Sequence, residues 1–256
     1  MSDFPTQVYA VAAAEVQKLR HDPVELFTRA IQPVLWLMLF GEVMAQVRGV
    51  SPGNMQYLDF LSAGILAQSV LFVAIFNGIS AIWERDLGVL QRYLASPTPR
   101  TALVLGKAIS GSVRALSQAI IVYILALVLG VNVSLNPLAM IGVVIVIALG
   151  AGLFSTFSLI VACIVKTRER FMGIGQVLTM PIFFASNAIY PLSLMPGWLR
   201  TVSHVNPLTY EVDALRALMI TEGVSDYGIA FDIAVLLCIT ALLTAIAARL
   251  YPRMGY

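Results

Sequence analysis

Residues 138–165 run for 28 positions without one Asp, Glu, Lys, Arg or His. A helix of that length outreaches the hydrocarbon core of a bilayer, which takes about 20 residues to cross. A soluble helix of this size would show a polar face, and this one has none. The run is also rich in small residues, Gly142, Gly150, Ala151 and Gly152, which let helix backbones approach closely in lipid. Further apolar segments repeat the pattern at residues 26–44, 57–83, 102–129, 171–190 and 229–249, with Pro33 and Pro181 inside two of them. Proline is tolerated in transmembrane helices, where neighbouring helices satisfy the freed backbone groups. Only 12% of the chain is charged and 59% is hydrophobic, against about 25% charged in typical soluble domains. The expected fold class is an all-α polytopic membrane protein with six transmembrane helices, forming a single transmembrane domain over residues 1–256.

Charge then orients the spans. Lys18, Arg20, Arg29, Arg85, Arg92, Arg100, Lys107, Arg114, Lys166, Arg168, Arg170, Arg249 and Arg253 fall on one side, and only Arg48, Arg200 and Arg216 on the other. The positive-inside rule places the first set, and both termini, in the cytoplasm. The acids Asp59, Glu211, Asp213, Glu222, Asp226 and Asp232 dominate the outer side. Lys107 and Arg114 read as interface anchors, and Asp59 as an interfacial acid. A net charge of +2 is too small to argue for a nucleic-acid partner. The start, Ser2-Asp3-Phe4-Pro5, lacks the basic region of a cleaved signal, so the first span reads as a retained anchor. Cys163 and Cys238 lie in apolar runs and read as buried spectator thiols rather than a disulfide.

Three stretches do not fit a simple span. Residues 6–20 place Val8, Val11, Val16 and Leu19 on one side, with Glu15, Lys18 and Arg20 toward the end. That pattern is an interfacial helix lying along the bilayer. Residues 84–100, ERDLGVLQRYLASPTPR, are the longest charged interruption between two spans. Leu87, Leu90 and Leu94 recur at i, i+3 and i+7, which predicts two to three helical turns over residues 86–94, stopped by Ser96-Pro97-Thr98-Pro99. Such a helix can lie in the headgroup layer or dock into a groove of another protein. Residues 191–221 carry Pro191, Pro196, Gly197, Arg200, Pro207, Glu211, Asp213 and Arg216 among apolar residues. They are too interrupted to cross, and two short helices that dip in and return fit them. An ion pair of Arg216 with Glu211 or Asp213 would hold these helices, since a charge at that depth needs a partner.

Several of these segments resemble ABC type-2 export permeases, notably the drug-resistance and nodulation-factor type. The likeness rests on Glu84-Arg85-Asp86-Leu87-Gly88-Val89-Leu90, then Ala188-Ile189-Tyr190-Pro191-Leu192, Met195-Pro196-Gly197-Trp198-Leu199, Asn206-Pro207-Leu208-Thr209-Tyr210 and Asp213-Ala214-Leu215-Arg216, in that order. It implies a cytoplasmic coupling helix, made of Glu84, Arg85, Asp86, Leu87, Gly88, Leu90, Arg92 and Leu94, seated in a groove of a separate ATPase subunit. The interfacial helix, with Val11, Glu15, Lys18 and Leu19, would be a second contact. Pro191, Pro196, Trp198, Asn206, Pro207, Tyr210 and Arg216 would belong to re-entrant helices before the last span. Phe183, Phe184, Asn187 and Tyr190 are candidates to line a pathway. The resemblance further implies two permease copies working with two ATPase subunits in the cell's inner membrane, in contact with membrane lipid. The cargo would be a drug, a lipid or a lipid-linked glycan.

No G-x-x-x-x-G-K-[ST] phosphate loop occurs in the sequence, so no cofactor is expected on this chain, and ATP and Mg would be bound by the partner. No residue takes a catalytic or metal-binding role. The rival class is a secondary transporter driven by an ion gradient. It would want titratable groups at mid-depth, and spans four to six offer almost none. A Ser-His intramembrane protease fails because Ser110, Ser112 and His204 fall toward opposite faces.

Overall fold

A computed structural model of the chain describes residues 28, 31–47, 55–88, 100–165 and 167–251. The described residues form helices, turns and one isolated bridge, as expected for an all-α polytopic protein. In chain order the helices are α1 (Ile31–Ala45), α2 (Tyr57–Asn77), α3 (Ile79–Asp86), α4 (Arg100–Val128), α5 (Pro137–Ile164), α6 (Arg168–Phe184), α7 (Gly197–Val205), α8 (Pro207–Met219) and α9 (Ile229–Leu250). Residues Trp36–Gly41 widen α1 into a π-helical turn. α2 and α3 form one continuous apolar length, Tyr57–Asp86. That length, α4 from Leu103, α5 and α9 are each long and apolar enough to cross a membrane. α1 and α6 stand where the first and fifth spans were expected; α6 is shorter than expected, and residues 29–30 before α1 lie outside the described residues. The interfacial helix expected over residues 6–20 lies outside the described residues.

The core forms where α2, α4 and α5 pack along one another, with α8 wedged against α2, α5 and α9. α2 is buried almost throughout, from Phe60 and Leu61 to Leu71 and Ile75. α9 keeps one thin buried stripe, Asp232, Leu236 and Ala247. Helix starts follow local chemistry. Asn136 caps α5, its side chain accepting from Leu138 N, and Pro137 takes the first helical position, where a missing N–H costs nothing. Asn206 and Pro207 repeat the device at the start of α8.

α6, at the fifth expected span, ends at Phe184 rather than Tyr190. Its last carbonyls are taken up by side chains: Asn206 Nδ2 donates to Ile182 O at 2.6 Å, Ser186 Oγ to Phe183 O at 2.7 Å, and Tyr190 Oη to Phe184 O. Residues 185–190 therefore turn away inside the fold instead of completing a span.

Pairings between elements define two ends of the bundle. At one, the bridge Val133–Ile220 is flanked by Ser134 N donating to Met219 O at 2.7 Å and Thr221 N to Asn132 O at 2.9 Å. These bonds lock the turn between α4 and α5 to the end of α8. We call this the Asn132 end. The other, the Glu84 end, gathers the end of α3 and the starts of α4 and α6.

Candidate functional site

At the Glu84 end the chain leaves α3 through a glycine stop. Asp86 is the last helical residue. Leu87 N then bonds to Trp83 O at 2.9 Å and Gly88 N to Arg85 O at 3.0 Å, with Gly88 at φ +71°. Glycine takes the left-handed conformation after a helix without steric cost. This corrects the expected start of the charged helix at Asp86: Glu84, Arg85 and Asp86 complete the preceding helix, and Leu87 and Gly88 form the turn that leaves it. Leu87 is 71% exposed. Leu90, Arg92 and Leu94 lie outside the described residues.

Two ion pairs fasten that exit to neighbouring helices. Lys107 Nζ on α4 donates to Glu84 Oε1, and both side chains are half-buried. Lys107, expected as an interface anchor, has Glu84 as its partner. Arg168, the first residue of α6, donates to Asp86 Oδ2 at 2.9 and 3.1 Å, while Arg85 donates to Asp86 Oδ1 at 3.0 Å. The Arg168 guanidinium also stacks over the Trp83 ring, 4.3 Å from its centroid. A cation at a helix N-terminus opposes the helix dipole, and Asp86 offsets it. Arg114, one helical stretch further along α4, lines a cavity of about 240 Å³ with Phe72, Val73, Phe76 and Asn77.

The Asn132 end is polar but closed. Asp59 is 4% exposed and accepts from Asn132 N at 3.1 Å and Asn132 Nδ2 at 3.0 Å. It latches α2 to the α4–α5 turn from the first turn of its helix. Asp213 accepts from Ser225 Oγ at 2.7 Å and from the backbone N–H groups of Asp226 and Tyr227 at 3.2 Å. Ser225 Oγ also lies 3.1 Å from Asp232 Oδ2. Of the acids expected on the outer side, Asp59, Glu211, Asp213 and Asp232 are buried within the bundle and Glu222 and Asp226 are exposed.

The expected ion pair of Arg216 is likewise replaced. Its guanidinium donates to Asn187 O at 2.8 Å and stacks over Phe60, 3.8 Å from the ring centroid; among the described residues no carboxylate comes within ion-pair distance of it. Arg216 borders a cavity of about 600 Å³ with Phe60, His204, Glu222, Asp226 and Tyr227. Burial pushes the Asp226 carboxyl up, Asp213 pushes it further, and Arg216 opposes both.

The segment between α6 and α9 is two short helices, α7 and α8, as its sequence suggested. Pro191 and Pro196 bracket a single 3₁₀ turn, Leu192–Leu194, and Arg200 donates back to Leu192 O and Ser193 O at 3.1 and 3.2 Å. Trp198, Val202 and Val205 stand exposed at i, i+4 and i+7 on α7, an outward apolar stripe. Tyr210 Oη donates to His204 O at 2.6 Å and packs on Tyr227.

Of the four pathway candidates, Phe183 and Phe184 both pack on Trp36 and Tyr190 Oη donates to Phe184 O. Phe183 is fully buried against Trp36, Phe184 is partly exposed, and Asn187 is buried with neither side-chain atom hydrogen-bonded. Tyr190 caps α6. Cys163 and Cys238 are free thiols, with Cys238 exposed rather than buried.

Long apolar helices packed through small residues, with positive charge concentrated at one end, define a multi-pass membrane protein. Residues 6–220 match the family described as ABC-2 type transporter, and the chain belongs to that family. It is therefore the transmembrane subunit of an ABC transporter, a class that works with ABC ATPase subunits. A putative transport permease, ycf38, of Cyanophora paradoxa is 29% identical over 78% of this chain and 70% of its own length. The daunorubicin resistance ABC transporter permease protein DrrB1 of Streptomyces coeruleorubidus is 24% identical over 98% and 88%. Nodulation protein J of Rhizobium meliloti (strain 1021) is 24% identical over 77% and 74%.

Proposed function

We propose that this chain is the membrane half of an ATP-driven exporter. Two copies would pair with two ATPase subunits and move an amphiphile, a lipid-like molecule, a lipid-linked glycan or a drug, out of the cytoplasm or inner leaflet. The Glu84 end would face the cytoplasm, where the positive-inside rule puts its cations, in a cytoplasmic membrane with both termini inside. The ATPase, carrying ATP and Mg, would seat on the segment that begins at Leu87. Residues 6–20 would add a second contact, and α7 and α8 would cap the outer end of the pathway.

The observation that carries this reading is the way α3 ends. The glycine stop at Gly88 presents an exposed Leu87, while Glu84 and Asp86 directly behind it are tied to α4 and α6. A push or pull on the segment after Gly88 would therefore be felt by three helices at once. Uniformly apolar spans suit a lipid-like cargo better than a free sugar.

Gentle purification of the tagged chain tests the partner: a stoichiometric P-loop ATPase is expected with it. Leu87→Asp and Leu90→Asp should leave insertion intact and remove the ATPase. Normal complex formation by both variants would refute docking at this segment.

A further inference from the structure

Glu211 is fully buried, and neither of its carboxylate oxygens has a hydrogen-bond partner. It is not near the end of the bundle. The carboxyl rests on Gly150, halfway along α5, so closely that a Cβ at position 150 would collide with it. Glycine there is what makes room for the acid. The neighbourhood supplies no counter-charge. α5 carries no charged residue, and its single titratable group, Cys163, sits at the far end.

On α2 the titratable groups are Tyr57 and Asp59, both in its first turn and both engaged, with Ile189 O and Asn132. On α9, Asp232 is held at Ser225, and Cys238 and Arg249 lie further along. On α7, His204 bonds to Tyr227 and Arg200 to loop carbonyls. Along α8 itself, Tyr210 bonds to His204 O, Asp213 to Ser225 and the backbone after it, and Arg216 to Asn187. Of the other buried acids among the described residues, Asp59 and Asp213 accept hydrogen bonds, and Asp232 has one oxygen 3.1 Å from the Ser225 hydroxyl that Asp213 shares. Glu211 has no donor, and an ionised carboxylate in that position would cost far more than a neutral acid.

From this geometry we infer that Glu211 is a proton-binding site at mid-membrane depth. Its carboxyl is protonated while α8 is packed on α5. When that packing opens and admits water, the O–H bond breaks, the proton passes to water and the carboxylate becomes hydrated. The seat of a titratable group at mid-depth is thus α8, a helix that does not span, rather than any of the long spans.

Infrared spectroscopy of the full chain reconstituted in phosphatidylcholine vesicles at neutral pH reads the proton directly. The wild-type minus Glu211→Gln difference should contain the carbonyl band of a protonated carboxyl, moved to lower frequency in D₂O. A difference showing only carboxylate bands would overturn the site. Wild-type chain carrying ¹³C-carboxyl glutamate gives the same reading without a substitution: a protonated-acid band must move with the label, and an unmoved band assigns the proton to aspartate instead. Linkage to transport rests on the exporter reading and is measured separately. Cargo-stimulated ATP hydrolysis should depend on pH in the wild type and lose that dependence in Glu211→Gln. Superimposable profiles would overturn the linkage while leaving the infrared result to decide the site.

Discussion

The two ends of the bundle are held together by different chemistry. At the Asn132 end, buried carboxylates are hydrogen-bonded to half-buried or exposed partners: Asp59 to Asn132, Asp213 to three donors, with backbone pairs between residues 132–134 and 219–221. At the Glu84 end, the ties are ion pairs between half-buried or exposed side chains, Glu84 to Lys107 and Asp86 to Arg168. A hydrogen bond to a charged group contributes about 1.5–3 kcal/mol. An exposed ion pair contributes about 0.2–1 kcal/mol and weakens with salt. The first end is held by hydrogen bonds to buried carboxylates, and at the second the exposed Asp86–Arg168 pair can separate and re-form at little cost while Glu84–Lys107 is half-buried. That contrast is what a joint driven from one side requires.

The largest predicted effect lies at the Asn132 end. Asp59→Ala removes the buried carboxylate that accepts from Asn132 N–H and its side-chain amide, and should cost about 1.5–3 kcal/mol, the worth of hydrogen bonds to a charged group, read as a drop in the thermal unfolding midpoint in detergent. An unchanged midpoint would mean that the latch does not hold this end. Next comes the contact between α5 and α8. Gly150→Ala drives a methyl into the Glu211 carboxyl and should cost about 1–3 kcal/mol, and combining it with Glu211→Ala should recover much of the loss. Additive losses in the double variant would show that the two residues do not share a space.

Asn206→Ala removes the cap of α8 and the donor to Ile182 O. It should cost about 1–2 kcal/mol, with faster amide exchange confined to the start of α8 and the end of α6. Protection there equal to wild type would deny Asn206 that role. The smallest effect belongs to the Glu84 end. Arg168→Ala should shift stability by less than about 1 kcal/mol, and high salt should erase even that. A large, salt-independent loss would make this end as rigid as the other and break the contrast.

How much of this was legible in the sequence depends on whether the cause is local. The uncharged run of α5 announces its helix, and Asn136-Pro137 and Asn206-Pro207 announce two helix starts, because each signal lies within a few residues of its effect. The stop at Gly88 carried a local signal too. Asp-Leu-Gly after a charged turn is a helix ending, and the leucine spacing across it suggested a continuous helix instead.

The burial of Asp59 and Asp232 had no local signal. Glu211 and Asp213 were expected at depth, but residues 207–219 mix polar and apolar positions, and which partners they meet is set by α2, α5 and α9 around them. The fate of Glu211 depends on a glycine in another helix. The partners of Glu84 and Asp86, Lys107 and Arg168, were visible as charges on the same side of the membrane, but pairing them requires the packing of α3, α4 and α6.

The most direct test of the driven-joint account is a charge exchange at Glu84 and Lys107, measured as cargo-stimulated ATP hydrolysis by the chain reconstituted with the ATPase that co-purifies with it. The account predicts that Glu84→Lys keeps the complex assembled but loses stimulation, and that Glu84→Lys with Lys107→Glu regains it. Full stimulation in the single variant, or none in an assembled double variant, would contradict it.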